Sequence, residues 1–207
     1  MGLFKRFIGQ TRKPEGFFGK LMLNAMNQGH AALSDWGLSH IEGLSPLVVA
    51  ELGCGGGRNV RELLRRYPMA KVYAVDYSAL AVCRTRAYNK PDIVKGRCRV
   101  LKASVQSLPL AASRFDFATA FETVYFWPDP AECFAEVYRI LKCGGSFLIC
   151  NESDGTDAEG LRYERIIDGM HCYTAEELET MLRTAGFAEV RIFRHESKPW
   201  LTVLAKK

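Results

Sequence analysis

Residues Val48 to Asn59 read VVAELGCGGGRN, an apolar run, an acid, and a glycine-dense turn that opens a helix. Val48, Val49 and Ala50 follow Pro46 as a buried strand would, and Glu51 closes the run. Gly53, Gly55, Gly56 and Gly57 remove the side chains that would hold backbone N–H groups away from a ligand, and they permit positive φ at a sharp turn. From Asn59 the text becomes VRELLRRYP, with Val60, Leu63 and Leu64 on one helical face and Pro68 ending it. The next segment, AKVYAVD, is an alternating strand ending at Asp76, about twenty residues past the turn, where a carboxylate reaches a ribose diol. Strand, glycine turn, helix N-terminus and second-strand acid together predict a nucleotide-type cofactor pocket.

Which cofactor is decided by the glycine positions. The dinucleotide pattern G-x-G-x-x-G aligns on Gly53 and Gly55, but its third glycine falls on Arg58. A long side chain there opposes the close helix–strand approach that the third glycine serves. The string ELGCGGG instead resembles the first motif of the class I S-adenosylmethionine-dependent methyltransferases.

Length and composition suit a soluble globular domain. The 207 residues are enough for one sizeable core, and no apolar run approaches the ~18 residues a membrane span needs. The net charge of +5 is a mild excess of solvated Lys and Arg. The seven cysteines (Cys54, Cys83, Cys98, Cys133, Cys143, Cys150 and Cys172) form no C-x-x-C pair and have no His at ligand spacing. No metal site is therefore expected. Their odd number and the absence of a secretory signal point to free thiols in a reducing cytoplasm.

Residues 1 to 20 are basic and glycine-bearing, and read as an arm. Residues 20 to 41 hold two helical stretches divided at Gly29, with Leu33, Trp36, Leu38 and Ile41 assigned to the core. Ser78 caps a helix running to Tyr88, and Cys98 to Ala103 is the third strand. Phe115 to Phe121 is the fourth strand, with Glu122 at its carboxyl end, where open α/β sheets bind ligands. Tyr125, Phe126 and Trp127 follow, either packing a loop on the core or walling an acceptor pocket. Asp129 to Leu141 is an amphipathic helix leading through RILKCGG to the fifth strand. Ser153 to Tyr173 loses its apolar rhythm and reads as an insertion beside the active site. Thr174 and Glu177 form a capping box for a helix ending at Gly186. The final strands, AEVRIFRHE and WLTVLAKK, flank Pro199 too closely to be parallel and must pair antiparallel.

The resemblance covers Glu42 to the C-terminus and is carried by ELGCGGG, VDYS, LPL, FDFATAFE, RILKCGG and the closing hairpin. It implies a doubly wound, mostly parallel, seven-stranded Rossmann-like sheet with an antiparallel C-terminal strand. It also implies that residues 1–207 form one methyltransferase domain, with 1–43 as arm and helical cover and 44–207 as the donor-binding α/β core. The cover, around PEGFFGKLMLNAMNQGH, resembles that of small-molecule members related to quinone and sterol methyltransferases. The cofactor implied is S-adenosyl-L-methionine, released as S-adenosyl-L-homocysteine. By position, Glu51, Gly53, Cys54 and Gly55 would meet its methionine part and Asp76 its ribose. Tyr77 would stack beside the adenine, Ser104 and Val105 would touch its edge, and Phe121 would lie under the donor. Ser104 stands where the family usually has an acid; its hydroxyl accepts a hydrogen bond without charge assistance.

A sulfonium methyl is already activated, so in-line placement supplies much of the acceleration. A base is needed only if the acceptor loses a proton, and Glu122, Tyr125, His30 and His171 are the candidates. After the fourth strand there is no N-P-P-Y-type motif, and no dense basic stripe is visible, so a small-molecule acceptor is expected and nucleic acid is not. Two other readings stay open: a non-catalytic S-adenosylmethionine-binding protein, and an NAD-dependent oxidoreductase.

Overall fold

The computed structural model describes residues 31–41 and 43–207. The amino-terminal arm, most of the expected cover and His30 lie outside the described residues. The chain runs α1 (Ala31–Ser39), β1 (Val48–Leu52), α2 (Arg58–Arg66), β2 (Lys71–Asp76), α3 (Ala79–Tyr88), α4 (Lys90–Val94), β3 (Cys98–Lys102) and β4 (Phe115–Phe121). A 3-10 turn (Val124–Phe126) leads to α5 (Pro130–Ile140), β5 (Leu141–Asn151), α6 (Ala158–Ile166), α7 (Ala175–Thr184), β6 (Glu189–Arg194) and β7 (Leu201–Lys206).

Among the described residues the strands form one seven-stranded sheet in the order β3-β2-β1-β4-β5-β7-β6. The pairs from β3 to β5 are parallel; β7 inserts antiparallel between β5 and β6. The antiparallel closing pair is as the sequence predicts.

Strand alternation sends successive side chains to opposite faces, and both faces are covered. Ala50, Leu52, Val75, Ala120, Phe147 and Ile149 pack with Phe134, Val137 and Ile140 of α5 and Leu178 and Leu182 of α7. On the other face Val49, Val72, Ala74, Phe117 and Leu148 pack with Leu33 and Leu38 of α1 and Val60, Leu63 and Leu64 of α2. Burial on both sides is why these strands read as nearly continuous apolar runs.

Helix ends obey local chemistry. Ser78 Oγ accepts from the Ala81 amide at 3.3 Å, and Asp129 Oδ1 from Glu132 at 3.1 Å. The Thr174–Glu177 capping box is present in both directions. Ser153 to Tyr173 differs from expectation, because it contains α6. Asp157 caps that helix through the Gly160 amide at 2.7 Å, but Gly160 is its only buried residue. A helix that buries no apolar face leaves no periodic signal. The RILKCGG segment is also no free turn: β5 begins directly at Leu141 and shifts register against Phe115–Phe117.

No helix among the described residues is long and apolar enough to cross a membrane.

Candidate active site

Strand order reverses between β1 and β4, which opens a crevice at the carboxyl ends of the strands. The glycine loop lies there. Gly53 (φ 84°), Gly55 (φ 49°) and Gly57 (φ 87°) all occupy left-handed backbone conformations, which explains the loop's composition.

The loop is anchored on both flanks. Val75 O accepts from Gly53 N (2.8 Å) and Cys54 N (3.0 Å), and Asp76 Oδ2 accepts from Gly55 N (2.9 Å). From α3, Thr85 Oγ1 donates to Gly55 O at 2.9 Å and Asn89 Nδ2 to Gly57 O at 3.0 Å. Thr85 and Asn89 are buried polar residues that the sequence reading missed. The signal was there: with Ala81 and Val82 they continue the inward face of α3, where a polar residue needs a partner.

Two carboxyl groups sit beneath this loop. Glu51 is 1 % exposed, and its Oε2 accepts from the Thr119 hydroxyl on β4. Burial pushes its carboxyl up to about 8, the neighbouring Asp76 charge adds to the rise, and the Thr119 hydrogen bond opposes it. Asp76 is also raised by burial, against the pull of backbone N–H groups of Ser78, Gly55 and Tyr77. Cys54, equally buried beside Asp76, keeps its thiol proton well above its usual range.

This donor set selects its ligand. A pyrophosphate needs unspent loop amides, but those of Gly53, Cys54 and Gly55 are bonded to Val75 and Asp76, and that of Gly57 to Cys54 O at 2.9 Å. A phosphate would push the two buried acids further toward their neutral form, whereas a cation would draw them into the ionised one. The acids suit a ligand that carries positive charge and a diol, which is the chemistry of a sulfonium nucleoside. The expected residues Glu51, Gly53, Cys54, Gly55 and Asp76 are thus brought together.

The others are arranged around them. Tyr77 follows Asp76 and is 41 % exposed. Ala103 N donates to Asp76 O at 3.1 Å, which puts Ser104 and half-buried Val105 on the same edge. Ser104 is exposed, and its Oγ accepts from the Gln106 amide at 3.3 Å. Phe121 is buried in the same cluster as Cys54.

Residues 50–149 match a family described as a methyltransferase domain. Over this domain and in its fold the chain resembles the class I S-adenosylmethionine-dependent methyltransferases. It is 32% identical over 108 residues to cycloartenol-C-24-methyltransferase 1 of Oryza sativa subsp. japonica, a match covering 52% of this chain and 31% of that protein. It is 23% identical to an uncharacterized methyltransferase of Bacillus subtilis (strain 168), covering 84% of this chain and 89% of the relative. The chain therefore spans about a third of the rice protein's length but most of the bacterial one's. A SAM-dependent methyltransferase from Aquifex aeolicus shares the fold, with a TM-score of 0.74 at 19% identity over 89% of this chain and 96% of that one. The cofactor of this methyltransferase domain is S-adenosylmethionine, and the donor set above fits it.

Beside the donor crevice lies a cavity of about 300 Å³, lined by Glu122, Tyr125, Glu152, Asp157, Tyr163 and Trp200 among others. Glu122, at φ 57°, turns the chain sharply out of β4. Its Oε1 accepts from Tyr125 Oη at 3.2 Å and from the Glu152 amide, and Tyr125 Oη accepts from Ser153 N at 2.9 Å. Burial, reinforced by the Glu122 charge, pushes the Tyr125 phenol well above its usual range. Of the aromatic trio, Tyr125 faces this cavity while Trp127 packs in the core against Phe134. His171 donates its backbone N–H to Tyr125 O at 2.9 Å, but its imidazole does not line the cavity: Nδ1 lies 3.1 Å from Glu164 Oε1.

Proposed function

We propose that this chain moves the methyl group of S-adenosylmethionine to a small-molecule acceptor by in-line displacement. The observation that carries the reading is the cavity at Glu122, at the carboxyl end of β4, where the next residue, Thr123, meets Gly53 of the glycine loop. Its volume, about 300 Å³, is at the lower end for ligand sites and favours a compact acceptor over a nucleic acid strand.

The cofactor supplies an activated methyl; the chain's task is placement. Glu51, Gly53, Cys54, Gly55 and Asp76 hold the donor, with Tyr77, Ser104, Val105 and Phe121 around its base. Tyr125, Tyr163 and Trp200 offer flat walls to the acceptor. Where the acceptor must lose a proton, Glu122 takes it. Tyr125 keeps its own proton and orients that carboxylate, while the His171 imidazole pairs with Glu164 and does not line the cavity. Residues 44–207 act as the donor-binding core, with 1–43 as arm and cover. Seven free cysteines support a reducing, cytoplasmic setting.

Calorimetric titration with S-adenosylhomocysteine, paired with NAD, tests the donor assignment: binding of the first alone is expected, and binding of NAD alone would sink it. Transfer of labelled methyl to a metabolite panel then tests catalysis. Amines go first, because four carboxylates (Glu122, Glu152, Asp157 and Glu159) line the cavity against Lys198. A chain that binds the donor yet labels nothing in the panel or in a small-molecule extract is a binding protein instead.

A further inference from the structure

Thr123 lies between the two sites, against Gly53 of the loop and next in the chain to Glu122 of the cavity. The left-handed turn at Glu122 brings it back over the glycine loop from the β4 side. A Cβ built on Gly53 would lie 2.6 Å from Thr123 Cβ and 2.9 Å from its Cγ2, and would also collide with Oγ1. The threonine side chain therefore occupies the space that the first loop glycine leaves.

Its own position is fixed. Trp127 Nε1 donates to Thr123 Oγ1 at 3.3 Å, and Phe126 N donates to Thr123 O at 3.0 Å, closing the 3-10 turn. Trp127 is rooted in the core, 5.5 Å from the Phe134 ring and 6.2 Å from Phe147 in a stacked arrangement. Contacts thus run from the core through Trp127 and Thr123 to Gly53. Val75, Asp76, Thr85 and Asn89 hold the loop from the β2 and α3 side; Thr123 meets it from the other side of the switch point. Two residues further on, Tyr125 walls the cavity.

We infer that Thr123 is a positioning residue that latches the donor loop to the acceptor wall, setting the loop's conformation and the spacing between the two sites. Gly53 must be glycine for this reason as well as for its φ. The hydroxyl fixes the rotamer through Trp127, and the Cβ and methyl fill the gap against Gly53. The role in donor binding rests on the assignment of S-adenosylmethionine to the crevice; the role in holding the loop does not.

The test uses full-length Thr123→Ala, Thr123→Ser and Trp127→Phe. In ligand-free protein, amide hydrogen exchange across residues 53–58 should quicken in Thr123→Ala and Trp127→Phe, with exchange in α7 unchanged. Titration with S-adenosylhomocysteine should show affinity falling about three- to tenfold in Thr123→Ala, the scale of one hydrogen bond with its packing, and recovering largely in Thr123→Ser. The effects of Thr123→Ala and Trp127→Phe should be less than additive in the double variant, because both act through one contact. Unchanged loop exchange in Thr123→Ala overturns the latch, whatever the ligand result. Should Thr123→Ala not fold, Thr123→Ser and Trp127→Phe carry the same comparison, and loop exchange at the native rate in Trp127→Phe overturns it. Quickened exchange in a protein whose native form binds no S-adenosylhomocysteine leaves the latch standing and removes the donor assignment.

Discussion

Glu51 illustrates how one residue joins fold, stability and ligand. It lies on a fully covered strand, where a carboxyl group is desolvated, and the Thr119 hydroxyl offsets only part of that cost. A carboxyl whose folded pKa lies above its unfolded value binds its proton more tightly in the native state. Between about pH 4.5 and 8 the native state therefore holds more protons, and stability falls as pH rises. Glu51→Gln removes that slope: its melting temperature should gain on the native protein's steadily from pH 5 to 8. Equal slopes for the two proteins would show that Glu51 is not protonated in the ligand-free site. Asp76→Ala tests the neighbouring acid. It should weaken S-adenosylhomocysteine binding by about 1.5–3 kcal/mol, the scale of charged hydrogen bonds, and near-native affinity would take Asp76 out of the site. Both acids were legible in the sequence, because each lies at the carboxyl end of a strand beside the glycine turn. Thr123 was not, and for Thr85 and Asn89 the helical face showed only that each needs a partner, not which one. Thr85 reaches Gly55 across 30 positions and Asn89 reaches Gly57 across 32, and only the sheet topology makes such partners neighbours.

At the scale of elements, α1 and the β6–β7 hairpin are joined by a contact that no local pattern announces. The Trp36 ring lies 4.9 Å from His40, 5.4 Å from His195 and 5.9 Å from Trp200, while His40 stacks on Phe193 at 4.1 Å. Gly37 lets α1 approach β5 closely; a Cβ there would lie 2.6 Å from Cys150 Sγ. The Arg58–Asp35 ion pair at 2.6 Å ties α1 to the first turn of α2. The sequence reading placed Trp36 in the core but could not see that it backs Trp200, a wall of the cavity. Trp36→Ala should destabilise the protein by about 1–3 kcal/mol, for a half-buried aromatic. Acceptor KM should rise more than donor affinity falls; an equal loss on both sides would refute a role specific to the cavity wall. By contrast β1, the loop and α2 were legible in full, since an apolar run, a glycine cluster and a 3.6-residue rhythm follow one another without interruption. The helix α6 was not, because it buries only Gly160.

For the molecule as a whole, pH acts on two groups in opposite directions. Burial lowers the pKa of His40, so the stability of the α1–hairpin contact is present above the imidazole's ordinary value of 6.5 and is lost as pH falls through the lower folded one. Glu51 favours the acid side of about 8. Above 6.5 the His40 contribution is complete while the Glu51 contribution is still being lost, so the ligand-free protein should lose stability from pH 6.5 to 8, and ligand experiments belong near the lower end of that window. Anything that binds the native state alone stabilises it by mass action, by about 2.7 kcal/mol at a free concentration a hundredfold above Kd. For a domain of this size each kcal/mol raises the melting temperature by about 2–4 °C, so S-adenosylhomocysteine at that concentration should raise it by about 5–10 °C. NAD should produce no shift, because the loop amides that would cradle its pyrophosphate are already bonded to Val75, Asp76 and Cys54. A comparable rise with NAD would mean that those bonds yield to a phosphate, and that the two buried acids do not select the donor.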